Sequence, residues 1–571
     1  MRRAHVFWLV AVLATVGAFA HAWALRWTCD DAYISFRYAQ HFAEGHGLVF
    51  NLDPDEAPVE GYTNFSWTML LALGHALGFA GDRLEDWSIA WGALLHAVTA
   101  LLLAWCSWRS SRGRAWVPIA APAWAANYSA ASLAPAGLET AMFAFLGLGM
   151  AALAIEWRCR RHLWLLGFLG VLAAMTRPDG ALFVAAAGAV VLWDARRMRA
   201  AGNVLAYALP IALCMAPYLL WRHAYYGYWV PNTFYAKSGG DPYPGQGLHY
   251  VTEYFKCYAV ALVPALLALL ALPWRRGDRF AAVEPWSGRR PGLVLCLFVL
   301  PYLGFVVWVG GDFMFGRFLI PVTPLLLLAL DVLLRSLPRA AVAAMAVATL
   351  GTWFRHDPPY LLDYENGISD NRAISVRELG PGLPLTEYAR YAGHAMQQLF
   401  SGLDVRLGIA GAHANFAYRS QVPVAVECAA GLTDAYIAHL PVPQRSKVGH
   451  ERNWRMYPGY LERRGVHFML ELHYATGGSA DPYRAIAFPV TGLPPMPARI
   501  VIYDRVLMRE LRRRQPQLVA ADFEQVLDDY IPTMAQKGRQ QVAKDYAGFR
   551  EFYFDHNDDP ARRAAFEAFL R

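Results

Sequence analysis

Long apolar runs separated by short polar segments dominate the first 354 residues of the chain. The first run, residues 6–25, contains no Asp, Glu, Lys or Arg and matches the ~20 residues that cross a bilayer as a helix. Several later cores have only about 13 residues, and flanking Arg and Lys side chains extend them by snorkelling. The pattern predicts about eleven transmembrane helices, with cores at residues 6–25, 87–107, 115–134, 140–155, 163–175, 181–193, 204–221, 257–273, 292–309, 318–330 and 340–354.

One apolar stretch, residues 66–80, is too short to span a membrane, and counting it as a span would invert every later loop. Residues 33–47 show a similar mixture of aromatic and polar positions. Both stretches are predicted to form helices that lie in the membrane interface. The first loop outside the cytoplasm, residues 26–86, is therefore predicted to be long and structured.

The pattern changes after residue 354. Charges become frequent, and short β-like stretches appear at residues 404–411 and 421–429, before a helical tail that begins near residue 522. The expected fold is a polytopic α-helical membrane domain over residues 1–354, followed by a soluble α/β domain over residues 355–571.

Composition supports the membrane class, since 56% of the 571 residues are hydrophobic, 17% are charged and the mean hydropathy is +0.23. The net charge of +7 does not indicate nucleic-acid binding, because the Lys and Arg residues form small clusters between apolar runs. Seven Cys residues without a CxxC pair suggest neither a zinc site nor a disulfide framework. The N-terminal run resembles a signal peptide, but its length favours an uncleaved first helix.

Basic loops set the predicted orientation. Every second connection is rich in Arg, as in WRSSRGR, EWRCRRH and DARRMR, and the intervening connections are mixed in charge. By the positive-inside rule the N-terminus is cytoplasmic, and an odd number of helices leaves the C-terminal domain outside. The expected location is a bacterial inner membrane with the soluble domain in the periplasm.

Ionisable residues collect near helix ends on the predicted outer face, where an ionisable group indicates a functional site. A carboxylate can deprotonate an acceptor hydroxyl, and Arg or Lys can hold a phosphate leaving group. This combination suits the transfer of a group from a lipid phosphate. The outer-face residues are Asp30, Asp31, Arg37, Glu60, Glu139, Arg177, Asp179, His223, Lys237, Asp312 and Arg317.

The chain resembles the GT-C class of integral-membrane glycosyltransferases, and within it the mycobacterial-type terminal arabinofuranosyltransferases. The resemblance covers residues 1 to about 470. The segments that carry it are DDAYISFRYAQHFAEGHGLVFN, VEGYTNFSWTMLLAL, GLETAMF, TRPDG, VPNTFYAK, GGDFMFGRFLIP, GLTDAYIA and KVGHE.

The resemblance implies a polyprenyl-phosphate sugar donor, an acceptor glycan, glycolipid or protein, and a catalytic acidic motif in the first outer loop. That motif maps to Asp30, with Asp31 as the second candidate. No cofactor is certain, although a carboxylate near the donor could also hold a divalent cation. The residues expected to bind the donor are Arg177, Lys237, Arg317, Asp312, Glu60 and Arg37.

Structural roles remain alternatives for the same residues. An Asp at the start of a helix can be a capping residue, and Arg177 can end one helix before Pro178 opens the next. Asp312 can serve only to neutralise Arg317, and Asp434 in GLTD is expected to cap a helix. Other functions also remain open, namely transfer of a hexose or aminopentose to lipid A or protein, or transport of a lipid-linked sugar.

Overall fold

A computed structural model describes residues 2–237, 241–274, 285–286, 288–334, 343, 346, 367–376, 383–410, 414–428, 430–442, 449, 451–452, 457–471 and 482–571. These residues form two compact units. The first comprises residues 1–47, 62–376 and 445–449, and the second comprises residues 48–61, 377–444 and 450–571. The predicted domain boundary at residue 354 lies outside the described residues.

The first unit is helical. Its helices are α1 (Arg2–Ala24), α2 (Ala32–Ala43), α3 (Phe65–Ala76), α4 (Arg83–Ser110), α5 (Ala120–Ala126), α6 (Tyr128–Leu133), α7 (Thr140–Glu156), α8 (Arg160–Thr176), α9 (Gly180–Met198), α10 (Ala201–Tyr226), α11 (Asn232–Ala236), α12 (Pro244–Cys257), α13 (Ala259–Ala271), α14 (Arg290–Val309), α15 (Thr323–Leu334) and α16 (Asn371–Ser375).

Four described helices, α1, α4, α10 and α14, are long and apolar enough to cross a membrane. A fifth span results if α12 and α13, which meet at a bend of 112°, are counted together. The chain is thus a multi-pass membrane protein, and the larger predicted number of spans stays a prediction. Nearly all of the eleventh predicted core, residues 340–354, lies outside the described residues.

The third predicted core, residues 115–134, is not one continuous helix. It divides at Asn127, whose extended backbone ends α5 and whose side chain accepts a hydrogen bond of 2.8 Å from the amide of Ala130 to cap α6. Asn is among the preferred capping residues because its short side chain reaches an unpaired amide of the first turn. An apolar pattern alone does not reveal this break.

Helices α2 and α3 form where the sequence predicts them, but α2 differs from the expected interfacial helix. Each residue from Ala32 to His41 is buried inside the protein. An interfacial helix would leave one face in contact with lipid. Helix α2 is therefore a core element of the chain rather than a surface helix.

Charged groups tie several helices together at the end of the bundle formed by the C-termini of α7 and α9. Arg290 at the start of α14 donates to both carboxylate oxygens of Asp194 at 3.0 and 2.8 Å and to the carbonyls of Ala154 and Ile155. Glu156 accepts from Arg109 and from Trp286. Residues from four Arg-rich connections, at residues 108–114, 156–162, 194–199 and 273–291, thus meet at one end of the bundle.

The second unit contains helices around a mixed six-stranded sheet. Its elements are α17 (Leu385–Phe400), β1 (Arg406–Ala410), α18 (Ala414–Ser420), β2 (Val424–Glu427), α19 (Ala435–His439), α20 (Tyr460–Arg463), β3 (Phe468–Glu471), β4 (Ala485–Val490), β5 (Leu493–Ile500), α21 (Arg505–Arg514), β6 (Val519–Ala520), α22 (Phe523–Tyr530), α23 (Met534–Lys537), α24 (Arg539–Phe549) and α25 (Pro560–Leu570). The strand order is β2-β1-β3-β5-β4-β6, with β1 parallel to β2 and β3 and the other pairs antiparallel.

The two strands predicted near residues 404–411 and 421–429 are confirmed as β1 and β2, and the helical tail is confirmed as α22 to α25. Asp434 caps α19 as expected, since its carboxylate accepts the amide hydrogen of Ile437 at 2.9 Å. The same carboxylate also accepts from Tyr460 and Arg464.

The predicted first outer loop, residues 26–86, is divided between the two units. Residues 48–61 belong to the second unit, where Leu52 donates to the carbonyl of Pro423 at 2.9 Å and Asp53 pairs with Arg406 at 3.1 Å. Residues on either side of this segment belong to the first unit. The loop is structured, as its composition predicts, but it is not one independent element.

Candidate active site

The acidic pair Asp30 and Asp31 lies in a turn between α1 and α2 that is held against the loop before α7. Trp27 donates its indole hydrogen to the carbonyl of Ser132 at 2.8 Å, and the amide of Cys29 donates to the carbonyl of Ala136 at 2.9 Å. Gly137 permits this close approach. Its φ is +82°, and a Cβ there would lie 2.7 Å from the Cβ of Ala32.

The structure does not support a capping role for the Asp31 side chain. Asp31 occupies the position before α2 with helical dihedral angles of −56° and −24°, and its carboxylate makes no capping hydrogen bond. A capping Asp usually has an extended backbone, which directs its oxygen at the amides of the first turn. Asp30 and Asp31 are both half-buried. Cys29 is buried.

Behind this turn lies a buried ion cluster centred on Glu139, the residue that precedes α7. One oxygen of Glu139 accepts from Nη1 of Arg177 at 3.2 Å and from Nη2 of Arg317 at 3.3 Å. The three residues are 3%, 6% and 8% exposed. Two Arg residues that are far apart in the sequence therefore converge on one carboxylate in a site with little water.

Each Arg also binds an acidic residue close to itself in sequence. Arg177 donates to both oxygens of Asp179 at 2.9 to 3.2 Å, and Asp179 also accepts from the hydroxyl of Tyr302 at 2.8 Å. Arg317 donates to Asp312 at 3.4 Å. The cluster carries one net negative charge, because three carboxylates face two guanidinium groups.

The guanidinium groups of Arg177 and Arg317 differ in how many of their nitrogens donate hydrogen bonds. All three nitrogens of Arg177 donate to carboxylates within the cluster. The buried Nε of Arg317 has no hydrogen-bond partner among the described residues. A buried donor without an acceptor costs about 1–3 kcal/mol, so Arg317 is the member of the cluster best suited to bind an anionic ligand.

Electrostatics keep the cluster ionised. Burial favours the neutral form of Glu139, but the charges of Arg317 and Arg177 outweigh burial and lower the pKa of its carboxyl. Burial likewise opposes the charge of Arg317, while Glu139, Asp312 and Asp31 raise its pKa. Asp31 has the smallest of these influences, which puts the acidic turn within electrostatic range of Arg317.

Asn64 connects the cluster to α2 and α3. Its amide donates to the second oxygen of Glu139 at 3.0 Å, and its carbonyl oxygen accepts from Ser35 at 3.0 Å and from Thr68 at 3.2 Å. Sequence reasoning did not select Asn64, although it lies in the VEGYTNFSW motif. Its position directly before an apolar helix was the available signal.

The remaining predicted residues occupy different surroundings. Arg37 is 2% exposed within α2, and burial lowers its pKa to about 9, so it remains charged at neutral pH. Glu60 is buried in the segment that belongs to the second unit. Lys237 is half-buried at the end of α11, and Gly449 packs against its aliphatic stem.

A cation site is not evident within the part of the chain that the structure describes. No group of three His, Cys, Asp or Glu side chains there could hold a metal ion. The acidic turn supplies two carboxylates at most, fewer than the oxygen ligands that Mg²⁺ or Ca²⁺ requires without water or substrate.

The lowered pKa of Glu139 predicts how the stability of the folded protein changes at acidic pH. A carboxyl whose pKa is lowered by folding stabilises the protein above its unfolded pKa, ordinarily 4.5, and this contribution is lost as the pH falls toward the folded pKa. We expect Glu139→Gln to lower the melting temperature at pH 7 and to flatten its decline below pH 4.5. Differential scanning fluorimetry in detergent from pH 7 to pH 3 measures both effects.

The control for this experiment is Glu551→Gln, at an exposed position in the second unit. It should retain the wild-type dependence of melting temperature on pH. An unchanged pH dependence in Glu139→Gln would show that the ion cluster does not contribute to acid stability.

Comparison with known proteins agrees with the motifs. The chain is 29% identical over 350 residues to the terminal β-(1→2)-arabinofuranosyltransferase of Corynebacterium glutamicum, covering 55% of this chain and 48% of that protein. It is 30% identical over 428 residues to the protein of the same name from Mycobacterium tuberculosis, covering 66% of each. No family model matches the chain. The chain thus spans about half of the first relative and 66% of the second.

Among solved structures, apo ArnT from Cupriavidus metallidurans superposes with a TM-score of 0.52 at 13% identity, covering 86% of this chain and 97% of ArnT. At this identity the likeness concerns the fold, which is of the GT-C type. The predicted resemblance is confirmed: the chain is similar to terminal arabinofuranosyltransferases and has a GT-C fold.

Proposed function

We propose that the chain is a membrane glycosyltransferase that moves D-arabinofuranose from a polyprenyl-phosphate donor to a hydroxyl of a cell-envelope acceptor. The acceptor would be a glycan, a glycolipid or a protein on the extracytoplasmic face of a bacterial inner membrane. The names of the two sequence relatives support the activity and the sugar. The observation in the structure that carries the proposal is the half-buried acidic turn, whose Asp31 lies within electrostatic range of Arg317, a buried Arg with an unused donor.

Asp30 acts as the catalytic carboxylate in this proposal. It takes the proton of the acceptor hydroxyl, the acceptor oxygen forms a bond to the anomeric carbon, and the bond between that carbon and the phosphate oxygen breaks. The electron pair leaves with the polyprenyl phosphate. Asp31 faces the same environment and stabilises positive charge that develops at the anomeric centre, or exchanges roles with Asp30.

The two Arg residues receive different roles. Arg317 donates through Nε to the donor phosphate, since this buried nitrogen lacks a partner among the described residues. Arg177 and Asp312 hold Arg317 and Glu139 in place, because their charged groups are bound within the cluster. Lys237 supplies a second, flexible positive charge to the phosphate. Arg37 and Glu60 are assigned to substrate binding on the sequence resemblance alone.

A donor panel tests the proposal. Purified protein in liposomes is incubated with an arabinose oligosaccharide and with radiolabelled polyprenyl-phosphate arabinofuranose, hexose or aminopentose. We expect transfer from the arabinofuranose donor and little from the other two. Liposomes without protein and reactions without acceptor provide the background.

The alternative outcomes are distinct. Preferential transfer of a hexose or aminopentose would replace the proposed donor but keep the enzyme class. Movement of label across the bilayer without formation of a glycosidic bond would overturn the proposal and indicate a transporter.

A further inference from the structure

Asn64 directly precedes α3, but its side chain does not cap that helix. An Asn at the start of a helix ordinarily accepts a hydrogen bond from an amide of the first turn. Asn64 has dihedral angles of −108° and 55°, and its side chain makes no capping bond. The side chain is nevertheless buried. Its amide group therefore serves a purpose other than starting α3.

Two hydroxyl groups fix the orientation of the Asn64 amide. Ser35 of α2 donates to its carbonyl oxygen at 3.0 Å, and Thr68 of α3 donates to the same oxygen at 3.2 Å. The NH2 group is then directed away from both hydroxyls and donates to the second oxygen of Glu139 at 3.0 Å. Asn64 thus holds one of the two oxygens of the Glu139 carboxylate.

The contact between Arg317 and Glu139 is half of a usual ion pair of this kind. Nε and Nη2 lie on one edge of a guanidinium group, and that edge matches the two oxygens of a carboxylate. Arg177 uses the whole edge, since its Nε and Nη2 both donate to Asp179. In Arg317, Nη2 donates to the first oxygen of Glu139 at 3.3 Å, but the buried Nε has no hydrogen-bond partner among the described residues.

The second oxygen of Glu139 is the acceptor that Nε of Arg317 would need to complete the pair. Asn64 holds this oxygen, and Nε stays without an acceptor. A separate contact keeps α3 in place, because Trp67 donates its indole hydrogen at 2.9 Å to the carbonyl of Gly137, two residues before Glu139. The backbone positions of Asn64 and Glu139 therefore do not depend on the Asn64 amide alone.

We propose that Asn64 is a positioning residue that holds the second oxygen of Glu139 and so leaves Nε of Arg317 available to a phosphate oxygen. The inference rests on the proposed function, in which Arg317 binds the phosphate of a polyprenyl-phosphate donor. Without the Asn64 amide, the Glu139 carboxylate rotates and its second oxygen accepts from Nε. The completed ion pair then competes with the phosphate for the same nitrogen.

The test is binding of a radiolabelled polyprenyl monophosphate that carries no sugar to the full-length protein in detergent, measured by scintillation proximity. Asn64→Leu nearly keeps the size of the side chain and removes its NH2 group. We expect the dissociation constant to rise roughly tenfold, the effect of losing one hydrogen bond to a charged group. Asn64→Ser ends one bond short of the NH2 group and carries the same expectation if Asn64→Leu folds poorly.

A double-mutant cycle separates this role from a general effect on stability. Glu139→Gln replaces one carboxylate oxygen by an NH2 group, which cannot accept a hydrogen bond from Nε of Arg317. The ion pair cannot be completed in that background, so Asn64→Leu should change the dissociation constant there by less than about twofold. A purely structural role of Asn64 would weaken binding by the same factor in both backgrounds.

The matched control is Asn127→Leu, which makes the same change at a buried Asn that caps α6 outside the Glu139 cluster. It should bind the lipid phosphate like wild type, even if its melting temperature falls.

Each further outcome decides between the two proposals. Wild-type affinity in Asn64→Leu, or an equal loss in both Glu139 backgrounds, would overturn the inference and leave the proposed function intact. The expected pattern of binding in a protein that transfers no sugar would refute the proposed function and retain the role of Asn64. A wild-type protein that binds no lipid phosphate would overturn both.

Discussion

Replacing Asp30 by Asn is expected to reduce the rate of sugar transfer by roughly 10²- to 10⁴-fold, the usual contribution of a positioned general base. The amide has nearly the same shape as the carboxylate but cannot accept a proton from the acceptor hydroxyl. The loss should appear in kcat, because the donor phosphate is held by other residues. Steady-state transfer from radiolabelled donor measures it, after circular dichroism and thermal melting confirm that the variant is folded.

Asp82→Asn is the matched control for this prediction. Asp82 precedes α4 with dihedral angles of −59° and −28°, and like Asp31 it makes no side-chain capping bond. It should keep wild-type activity. Asp31→Asn distinguishes the two members of the pair, since the smaller loss identifies the residue that supports the other. If Asp82→Asn lost as much activity as Asp30→Asn, the result would contradict a specific catalytic role for the acidic turn.

Replacing Arg177 by Gln is expected to lower the free energy of unfolding by about 3–5 kcal/mol. Arg177 is 6% exposed and donates to Glu139 and to both oxygens of Asp179. Without it, three buried carboxylates would face the single guanidinium of Arg317. Breaking a buried ion pair costs more than the pair contributes, because an uncompensated charge remains in a medium that solvates it poorly.

Thermal unfolding in detergent measures this loss, with Arg26→Gln as the control. Arg26 is exposed and contacts only the carbonyl and ring of Trp23 in the bonds described, so its removal should change stability by less than about 1 kcal/mol. Equal melting temperatures for wild type and Arg177→Gln would show that the cluster is not a structural centre. Arg177 would then be free to bind the donor together with Arg317, as the sequence alone suggested.

Local patterns in the sequence predict much of the fold. Hydrophobic length identifies α1, α4, α10 and α14, and the short β-like stretches at residues 404–411 and 421–429 identify β1 and β2. Capping chemistry identifies Asp434 as the start of α19. These features depend on interactions between residues that are close together along the chain, so a local sequence pattern is enough to predict them.

Contacts between residues that are far apart in the sequence could not be predicted from the local sequence pattern. Arg317 and Glu139 are separated by 178 positions, and only the folded bundle shows that Arg177 meets the same carboxylate. The sequence led us to expect that both Arg177 and Arg317 bind the donor phosphate. In the cluster, Arg317 keeps one nitrogen without a hydrogen-bond partner among the described residues, whereas all three nitrogens of Arg177 donate to carboxylates. The burial of α2 was missed for the same reason, since its Tyr and His residues are polar enough to suggest an interface.

The local sequence pattern also does not predict that residues 48–61 belong to the second unit. The segment has no secondary structure of its own, and its bonds to Pro423, Ala425 and Arg406 join residues more than 350 positions apart. The composition indicated a structured loop, but no local signal named its partner.

The most direct test of the account is a single-turnover measurement of polyprenyl-phosphate release by the Asp30→Asn/Asp31→Asn double variant. Wild-type protein in liposomes is mixed with substoichiometric polyprenyl-phosphate arabinofuranose and an arabinose oligosaccharide, and the released lipid phosphate is counted over time. We predict rapid release by the wild type, and release at least 100-fold slower by a folded double variant that still binds donor. Release at the wild-type rate by that variant would contradict the assignment of the chemistry to the acidic turn.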